Sequence, residues 1–273
     1  MRCNKTYLCL VIILLSSFFI LLYQNRERFE NKYILSLLVI CKNEEMIIDE
    51  FIQHYKWQGV EHIYLIDNGS TDNMKEVLTP YINEGYITYY DLSEQQKQVE
   101  HYNTVYKMIR HETRWLIICD ADEYIYNTNK NNTILSYISL LPNSINRVFI
   151  NWQMYGSSGF ITQPESIRKS FIRRRNSLDK DGKCIINTKH TNSLAIHYHN
   201  HDNVPSENID IDNPHELKLN HYTIMSKEYF TKIKTTRGDA FDNSKKTRDI
   251  AFFESYDKNN SEVVDEELKN LLG

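Results

Sequence analysis

Residues 115–124 read Trp-Leu-Ile-Ile-Cys-Asp-Ala-Asp-Glu-Tyr, an unbroken apolar segment that runs straight into three carboxylates. The apolar half has the composition of a strand buried on both faces. A packed core does not tolerate unpaired carboxylates. Asp120, Asp122 and Glu123 are therefore expected past the strand's C-terminal end, in the crevice where open α/β sheets place their ligands. In an extended chain Asp120 and Asp122 would lie on one side, with Ala121 pointing away. Two oxygen donors so spaced suit a hard divalent cation that also grips a phosphate. A helix N-cap or a simple turn is the competing reading. The same Asp-x-Asp spacing recurs at Asp179-Lys180-Asp181 and Asp210-Ile211-Asp212, in polar surroundings that read as solvated loops.

The chain before this stretch is built the same way. Residues 33–41 form an apolar run that ends in Lys42-Asn43-Glu44-Glu45. Ile47, Ile48, Phe51, Ile52 and Tyr55 recur at helical spacing, which predicts a helix over 46–58 closed by Gly59. A second strand over 61–66 ends in Asp67-Asn68, and Ser70 or Thr71 is placed to cap a helix running to about 84. A third strand follows over 86–90. Ser93 with Gln96 has the spacing of a capping box for a helix through Arg110. Alternating strands and helices predict an α/β fold, a mainly parallel sheet flanked by helices. Right-handed crossovers then bring three polar clusters to one rim: Asn43-Glu44, Asp67-Asn68 and Asp120-Ala121-Asp122. The sequence has no Gly-x-Gly-x-x-Gly and no Gly-x-x-x-x-Gly-Lys, so a phosphate ligand here would need a metal bridge. The carboxylates could also accept hydrogen bonds from a ribose or a base edge.

Past residue 129 the alternation weakens. A helix is expected over 133–140, a strand over 148–152, and a polar loop over 217–220 leading to His221-Tyr222. Ser226 is placed to cap a further helix. Residues 168–175 hold four arginines and a lysine, a pattern open to a solvated strand face or a phosphate contact. His197, His199 and His201 alternate, with His190 before them; an exposed strand face and a transition-metal cluster are both open. Cys41 and Cys119 end apolar runs and read as core residues; there is no Cys-x-x-Cys, which argues against structural zinc. A net charge of −4 excludes a nucleic-acid binder that relies on a broad basic face.

Residues 7–23 carry no charge and as a helix would reach about 25 Å, enough for a thin bilayer. An uncleaved signal anchor is expected, with a cleaved signal peptide as the rival, because no small-x-small site precedes Arg26. The expected organisation is a short tail, anchor and stem over 1–32, the main domain over 33–243, and a charged helical tail over 244–273. The expected placement is that of a single-pass type II membrane protein, with its domain in a Golgi- or ER-like lumen. Sequons at Asn131 and Asn259 are compatible with that; the one at Asn68 lies in the proposed ligand loop and is expected to be unmodified.

Cys41-Lys42-Asn43-Glu44-Glu45, Ile66-Asp67-Asn68-Gly69-Ser70-Thr71-Asp72, Asp120-Ala121-Asp122-Glu123-Tyr124, the segment 152–159, and His221-Tyr222 with Ser226 and Phe230 together resemble glycosyltransferase family 92 and related family-2-like enzymes. The resemblance implies a GT-A (Rossmann-like) domain that takes a UDP-sugar with Mn²⁺ (or Mg²⁺) and a glycan or glycoprotein acceptor. It implies that Asn43, Glu44 and Asp67 lie around the nucleoside, Asp120 near ribose and metal, Asp122 on the metal, and His221 completing the metal shell. Imidazole suits Mn²⁺ better than Mg²⁺. The family is similar to inverting enzymes, which implies one displacement with a carboxylate base. Glu165 is the first candidate for that base and Glu216 the second. Members of the family transfer galactose, which puts a hexose first among donor sugars. The alternatives are a carbohydrate- or nucleotide-binding protein without turnover, and a nucleotidyltransferase, which the missing glycine-rich loop disfavours.

Overall fold

The computed structural model describes residues 31–94, 97–195, 209–236 and 248–273. The expected membrane anchor, Gln96, and His197, His199 and His201 lie outside these residues. Among the described residues no helix is long and apolar enough to cross a membrane.

The elements in order are β1 (Tyr33–Cys41), α1 (Ile48–Trp57), β2 (His62–Asp67), α2 (Met74–Asn83), β3 (Ile87–Asp91), α3 (Gln98–Ile109), β4 (Thr113–Ile118), β5 (Glu123–Asn127), α4 (Ile134–Ser139), β6 (Ile145–Met154), α5 (Ile167–Ser170), β7 (Arg173–Arg174), β8 (Gly182–Asn187), β9 (Ile209–Asp212), β10 (Leu217–His221), α6 (Lys227–Lys232), a 3-10 turn (Lys234–Thr236), α7 (Ile250–Asn259), β11 (Val263–Val264) and α8 (Glu267–Leu272). The strand order is β3-β2-β1-β4-β8-β6-β10-β5, with β9 also on β6, and β7 pairs separately with β11.

The first half follows the predicted βαβ logic. β3, β2, β1 and β4 are mutually parallel. Alternate residues of the strands serve opposite faces. Leu35, Leu37, Val39, Ile63, Leu65, Trp115 and Ile117 pack with Ile48, Phe51, Ile52 and Tyr55 of α1 and with Met74 and Leu78 of α2. Leu38, Tyr64, Ile66, Leu116 and Ile118 pack with Tyr102, Val105, Tyr106 and Ile109 of α3 on the other face. Burial stabilises by about 1.5–3 kcal/mol per large apolar side chain, and this three-layer core is where most of it accumulates. Gly59 closes α1 at φ +84°, as its place after the helix predicts.

The second half departs from the expected parallel order, and the sheet is mixed: β8 runs antiparallel to both β4 and β6, and β5 antiparallel to β10. The connection from β4 to β5 explains the departure. It consists of residues 119–122, yet three strands separate β4 from β5 in the sheet. Crossing them flat would require about 20 Å at a strand spacing of about 4.8 Å, and residues 119–122 are partly coiled into a turn. The sheet therefore curls around that turn. By their directions, β6 and β10 end there and β8 and β5 begin there. Gly182 is required at the start of β8, because a Cβ would lie 2.0 Å from the Ile150 carbonyl oxygen.

Several local expectations fail for physical reasons. Ser70 and Thr71 do not cap α2: the Ser70 hydroxyl accepts from the Asn43 N–H (2.9 Å) and the Thr71 N–H donates to Asn43 Oδ1 (2.7 Å), so both are spent joining two loops. The helix begins after Asn73, with the Asp72 carboxylate accepting from the Met74 N–H. α3 starts after Lys97 without a side-chain cap. The expected loop over 217–220 is strand β10, and Asp210-Ile211-Asp212 lies in β9, with Arg147 paired to Asp210. Three arginines of the basic cluster are spent in ion pairs, Arg168, Arg174 and Arg175 with Glu50, Asp265 and Asp179, while Lys169 and Arg173 are exposed. The C-terminal segment packs back on the sheet, with Phe253 against Ile224 and Phe230, and Glu267 bonded to Lys218 and Tyr126.

His54 and Tyr55 of α1 hold the start of β5. The Tyr55 hydroxyl donates to the Glu123 carbonyl (2.9 Å) and accepts from the Ile125 N–H and the Cys119 thiol. His54 Nε2 lies 2.7 Å from the Ile125 carbonyl oxygen, so its N–H donates. Burial, aided by nearby Arg168, lowers the His54 pKa to about 3. The unfolded chain binds this proton near pH 6.5 and the folded chain does not. His54 therefore contributes stability above pH 6.5 that is lost as pH falls toward 3. Urea unfolding at pH 7.5 and at pH 5 should show a loss of about 2 kcal/mol, which His54→Phe reduces. An unchanged pH slope in that variant would exclude His54 as the cause.

Candidate active site

The turn after β4 carries Asp120 and Asp122 as expected, but not in the alternating geometry of an extended chain, and Glu123, expected with them in the crevice, is instead the fully buried first residue of β5. The Glu123 N–H closes on the Asp120 carbonyl (3.1 Å), so Asp120 and Asp122 diverge to different cations. Asp120 Oδ2 accepts from Lys183 Nζ at 2.9 Å, and Asp122 Oδ2 accepts from Lys234 Nζ at 2.5 Å. The sequence gives neither lysine a visible role; Lys234 reads only as one of the basic residues near the end of the helix capped by Ser226. Lys183 is the second residue of β8 and Lys234 opens the 3-10 turn after α6. Each lies far along the chain from its partner, and only an antiparallel β8 and the closure of α6 bring them in. The available signal was charge balance: three adjoining acids at a buried strand end require cations from elsewhere.

Glu123 is fully buried and tightly bonded. Its carboxylate accepts from Trp152 Nε1 (2.8 Å) and from the Asp120 N–H (2.8 Å), with Lys183 Nζ at 3.6 Å. Burial, with Asp120 and Asp122 adding to it, pushes its pKa up to about 7 against the pull of Lys183 and His221. Asp122 is almost as buried; burial would raise it, but Lys234 and His221 outweigh that and hold it well below the usual carboxylate range. Burial would lower Lys183, yet Asp120 and Glu123 hold it charged.

His221 reaches the site because β10 ends there, paired opposite Glu123. Its Nε2 is 3.6 Å from Asp122 Oδ1, and its ring lies against Trp152 with centroids 4.7 Å apart. The Tyr222 N–H donates to the Asp122 carbonyl (2.9 Å), tying the turn to this strand end. The chain then passes through Met225, buried at φ +50°, into the Ser226 cap and α6. Tyr229 on α6 donates from its hydroxyl to Glu44 Oε2 (2.6 Å), and its ring lies 5.7 Å from Lys234 Nζ. Glu44, Tyr229, Lys234 and Asp122 thus form one continuous contact series.

The other predicted residues fall as follows. Asn43, at φ +54°, uses its side chain to hold Thr71. Asp67 accepts from the Ser70 N–H (2.7 Å) and the Tyr89 hydroxyl (2.6 Å), which leaves lone pairs on both oxygens. Its strand β2 lies two places from β4, about 10 Å across the sheet. The Asn68 amide donates to the Leu92 and Glu94 carbonyls. Glu165 is exposed, just before the Ser166 cap of α5. Glu216 is on the opposite rim: it precedes Leu217, which pairs with Asn127, whereas the site lies at the His221–Glu123 end of the same ladder. That separation of four registers, about 14 Å, removes Glu216 as a base for this site.

Among the described residues no three His, Cys, Asp or Glu side chains are grouped to hold a metal. Asp122 and His221 adjoin as one oxygen and one nitrogen donor, a pair that suits a borderline divalent ion; Asp120 faces Lys183 instead.

The fold and site define an α/β protein with a curled mixed sheet and a carboxylate turn at the strand ends. Residues 40–271 match the model of glycosyltransferase family 92, and the chain belongs to that family. It is 27% identical over 126 residues to a galactan beta-1,4-galactosyltransferase of Arabidopsis thaliana, covering 43% of this chain and 24% of that protein. It is also 27% identical over 105 residues to a family 92 protein of Ricinus communis, covering 38% and 18%. These matches span only about a quarter and a fifth of the two curated relatives. Among solved structures it is similar to S. aureus TarS, with a TM-score of 0.45 at 16% identity over 72% of this chain and 38% of that one. Glucosyl-3-phosphoglycerate synthase from Mycobacterium tuberculosis, in complex with Mn²⁺, UDP and glucosyl-3-phosphoglycerate, gives a TM-score of 0.32 at 13% identity over 58% of each chain.

Lys183→Met should cost about 3–5 kcal/mol in urea unfolding, because it leaves the buried Glu123 without its nearby cation and Asp120 without its ion pair. Combining it with Glu123→Gln should recover part of that loss. A double variant as unstable as the sum of the two single ones would show that the pair is not coupled.

Proposed function

We propose that this chain is a membrane-anchored glycosyltransferase on a GT-A fold, moving a hexose from a UDP-sugar to a glycan or glycoprotein acceptor with a divalent metal. The observation that carries the reading is Asp122: a buried carboxylate at the strand ends, next to His221, in a chain of family 92. Asp122 and His221 would hold Mn²⁺, which when bound supplies Lewis-acid stabilisation of the departing diphosphate. Asp120, oriented by Lys183, faces the ribose. Asp67 and the Asn43–Glu44 loop line the nucleoside side, where Asp67's remaining lone pairs can accept from ribose or uracil. Glu123 stays out of the chemistry; its carboxylate is committed to Trp152 and the Asp120 N–H.

The acceptor hydroxyl needs a base as it attacks the anomeric carbon. Glu165 is the carboxylate assigned here, exposed and so free to meet an acceptor. The Arabidopsis relative, a galactan beta-1,4-galactosyltransferase, makes galactose the first sugar to test. The anchor expected over 7–23 would place the enzyme as a type II protein in a secretory lumen.

UDP release from a panel of UDP-hexoses should be supported by Mn²⁺ and abolished by chelator. Asp122→Asn should lower turnover by about 100-fold or more, in line with loss of a metal ligand at a charge-developing step. Undiminished turnover in Asp122→Asn would end the metal assignment, and full activity in Glu165→Gln would end the base assignment.

A further inference from the structure

The two lysines at the carboxylate turn are held differently. Lys183 is part of β8, where the backbone ladder to β6 fixes it, and its ammonium lies near two carboxylates, Asp120 and Glu123. Lys234 sits on a single 3-10 turn, and its ammonium meets one carboxylate oxygen and the Tyr229 ring. The carboxylate it holds is the one that also faces His221. The ammonium therefore occupies Oδ2 of the carboxylate whose Oδ1 faces His221, the carboxylate that the reading above gives to the metal. A divalent ion and an ammonium cannot share one buried carboxylate without strong repulsion. When the metal takes Asp122, Lys234 must leave, and it cannot remain buried without a counter-charge. The anion then at hand would be the diphosphate of a bound sugar nucleotide.

We propose, resting on that reading, that Lys234 is a diphosphate-binding residue and an exchangeable stand-in for the metal. It holds Asp122 in the metal-free protein and transfers its ammonium to the sugar nucleotide's diphosphate when the ion enters. Its four-carbon stem gives the reach, and three N–H donors serve a phosphate as readily as a carboxylate.

The test measures binding. In Lys234→Gln, Mn²⁺ titrated without nucleotide, followed by electron paramagnetic resonance, should bind about tenfold tighter or more, because the competing cation is gone. UDP titrated by calorimetry with Mn²⁺ present should bind about tenfold weaker, while uridine is unaffected. Lys234→Arg should keep UDP affinity within about threefold of the parent. Amine labelling of the unmodified protein, read by mass spectrometry, gives a check that needs no variant. Lys234 should label slowly without metal, faster with Mn²⁺ alone, and slowly again with Mn²⁺ and UDP. Unchanged Mn²⁺ affinity in Lys234→Gln, or labelling indifferent to Mn²⁺, would overturn the exchange. Unchanged UDP affinity would overturn the diphosphate contact. Parent protein that binds neither Mn²⁺ nor UDP would instead overturn the donor reading itself.

Discussion

Two buried carboxylates in adjacent positions, Asp122 and Glu123, are the costliest feature of this fold. Left ionised and without partners, each would cost several kcal/mol, a large part of a domain's margin of stability. The structure keeps them by bringing two ammonium groups from far along the chain, Lys183 on β8 and Lys234 beyond α6. Much of the second half of the chain follows from that need. β8 must run antiparallel so that its first residues, Lys183 among them, reach the end of β4. β10 must end beside the turn so that His221 and the Tyr222 N–H meet Asp122. The short link between β4 and β5 forces the sheet to curl, and the curl closes these groups around the acids.

The part of the architecture that could be read directly was the part governed by local pattern. β1 to β4 and the helices between them rest on apolar periodicity and on Gly59, and their order needs only the handedness of crossovers. The gathering of Asp67, the Asn43–Glu44 loop and the Asp120–Asp122 turn at one rim follows from the same rule. Past residue 129 the elements are short and their pairing is non-local. β8 and β10 are brief strands whose direction is settled by partners far away in sequence, and no local periodicity encodes that. Ser70 and Thr71 had good cap chemistry, yet a neighbouring loop claimed them. The arginine run looked available for phosphate only while Glu50, Asp179 and Asp265, two of them far away in sequence, were out of view.

The site shows the same division. Asp122 and His221 could be matched because each stands in a recognisable short motif. Lys183 and Lys234 could not, since a lone lysine in a polar stretch has no local mark of burial. Alternation also misled: it put Asp120 and Asp122 on one side, as in an extended strand. A strand ending in a tight turn loses that alternation, and the Glu123 N–H bonded to the Asp120 carbonyl is the contact that breaks it.

That break assigns different work to the two aspartates. Asp120 is partly exposed but tied to an ammonium embedded in the sheet, so its position is stable and its charge is already matched. Asp122 is buried, and its cation stands on a short turn outside the sheet. The energetic cost of exchanging a partner is lower where the partner's backbone is not locked in a ladder. A divalent ion would therefore meet less resistance at Asp122 than at Asp120, although Asp120 is the more accessible of the two. His221 adds a donor on the Asp122 side alone. Charge, burial and backbone attachment thus converge on Asp122 as the carboxylate able to change its cation, with Asp120 and Glu123 forming the fixed frame that holds it there.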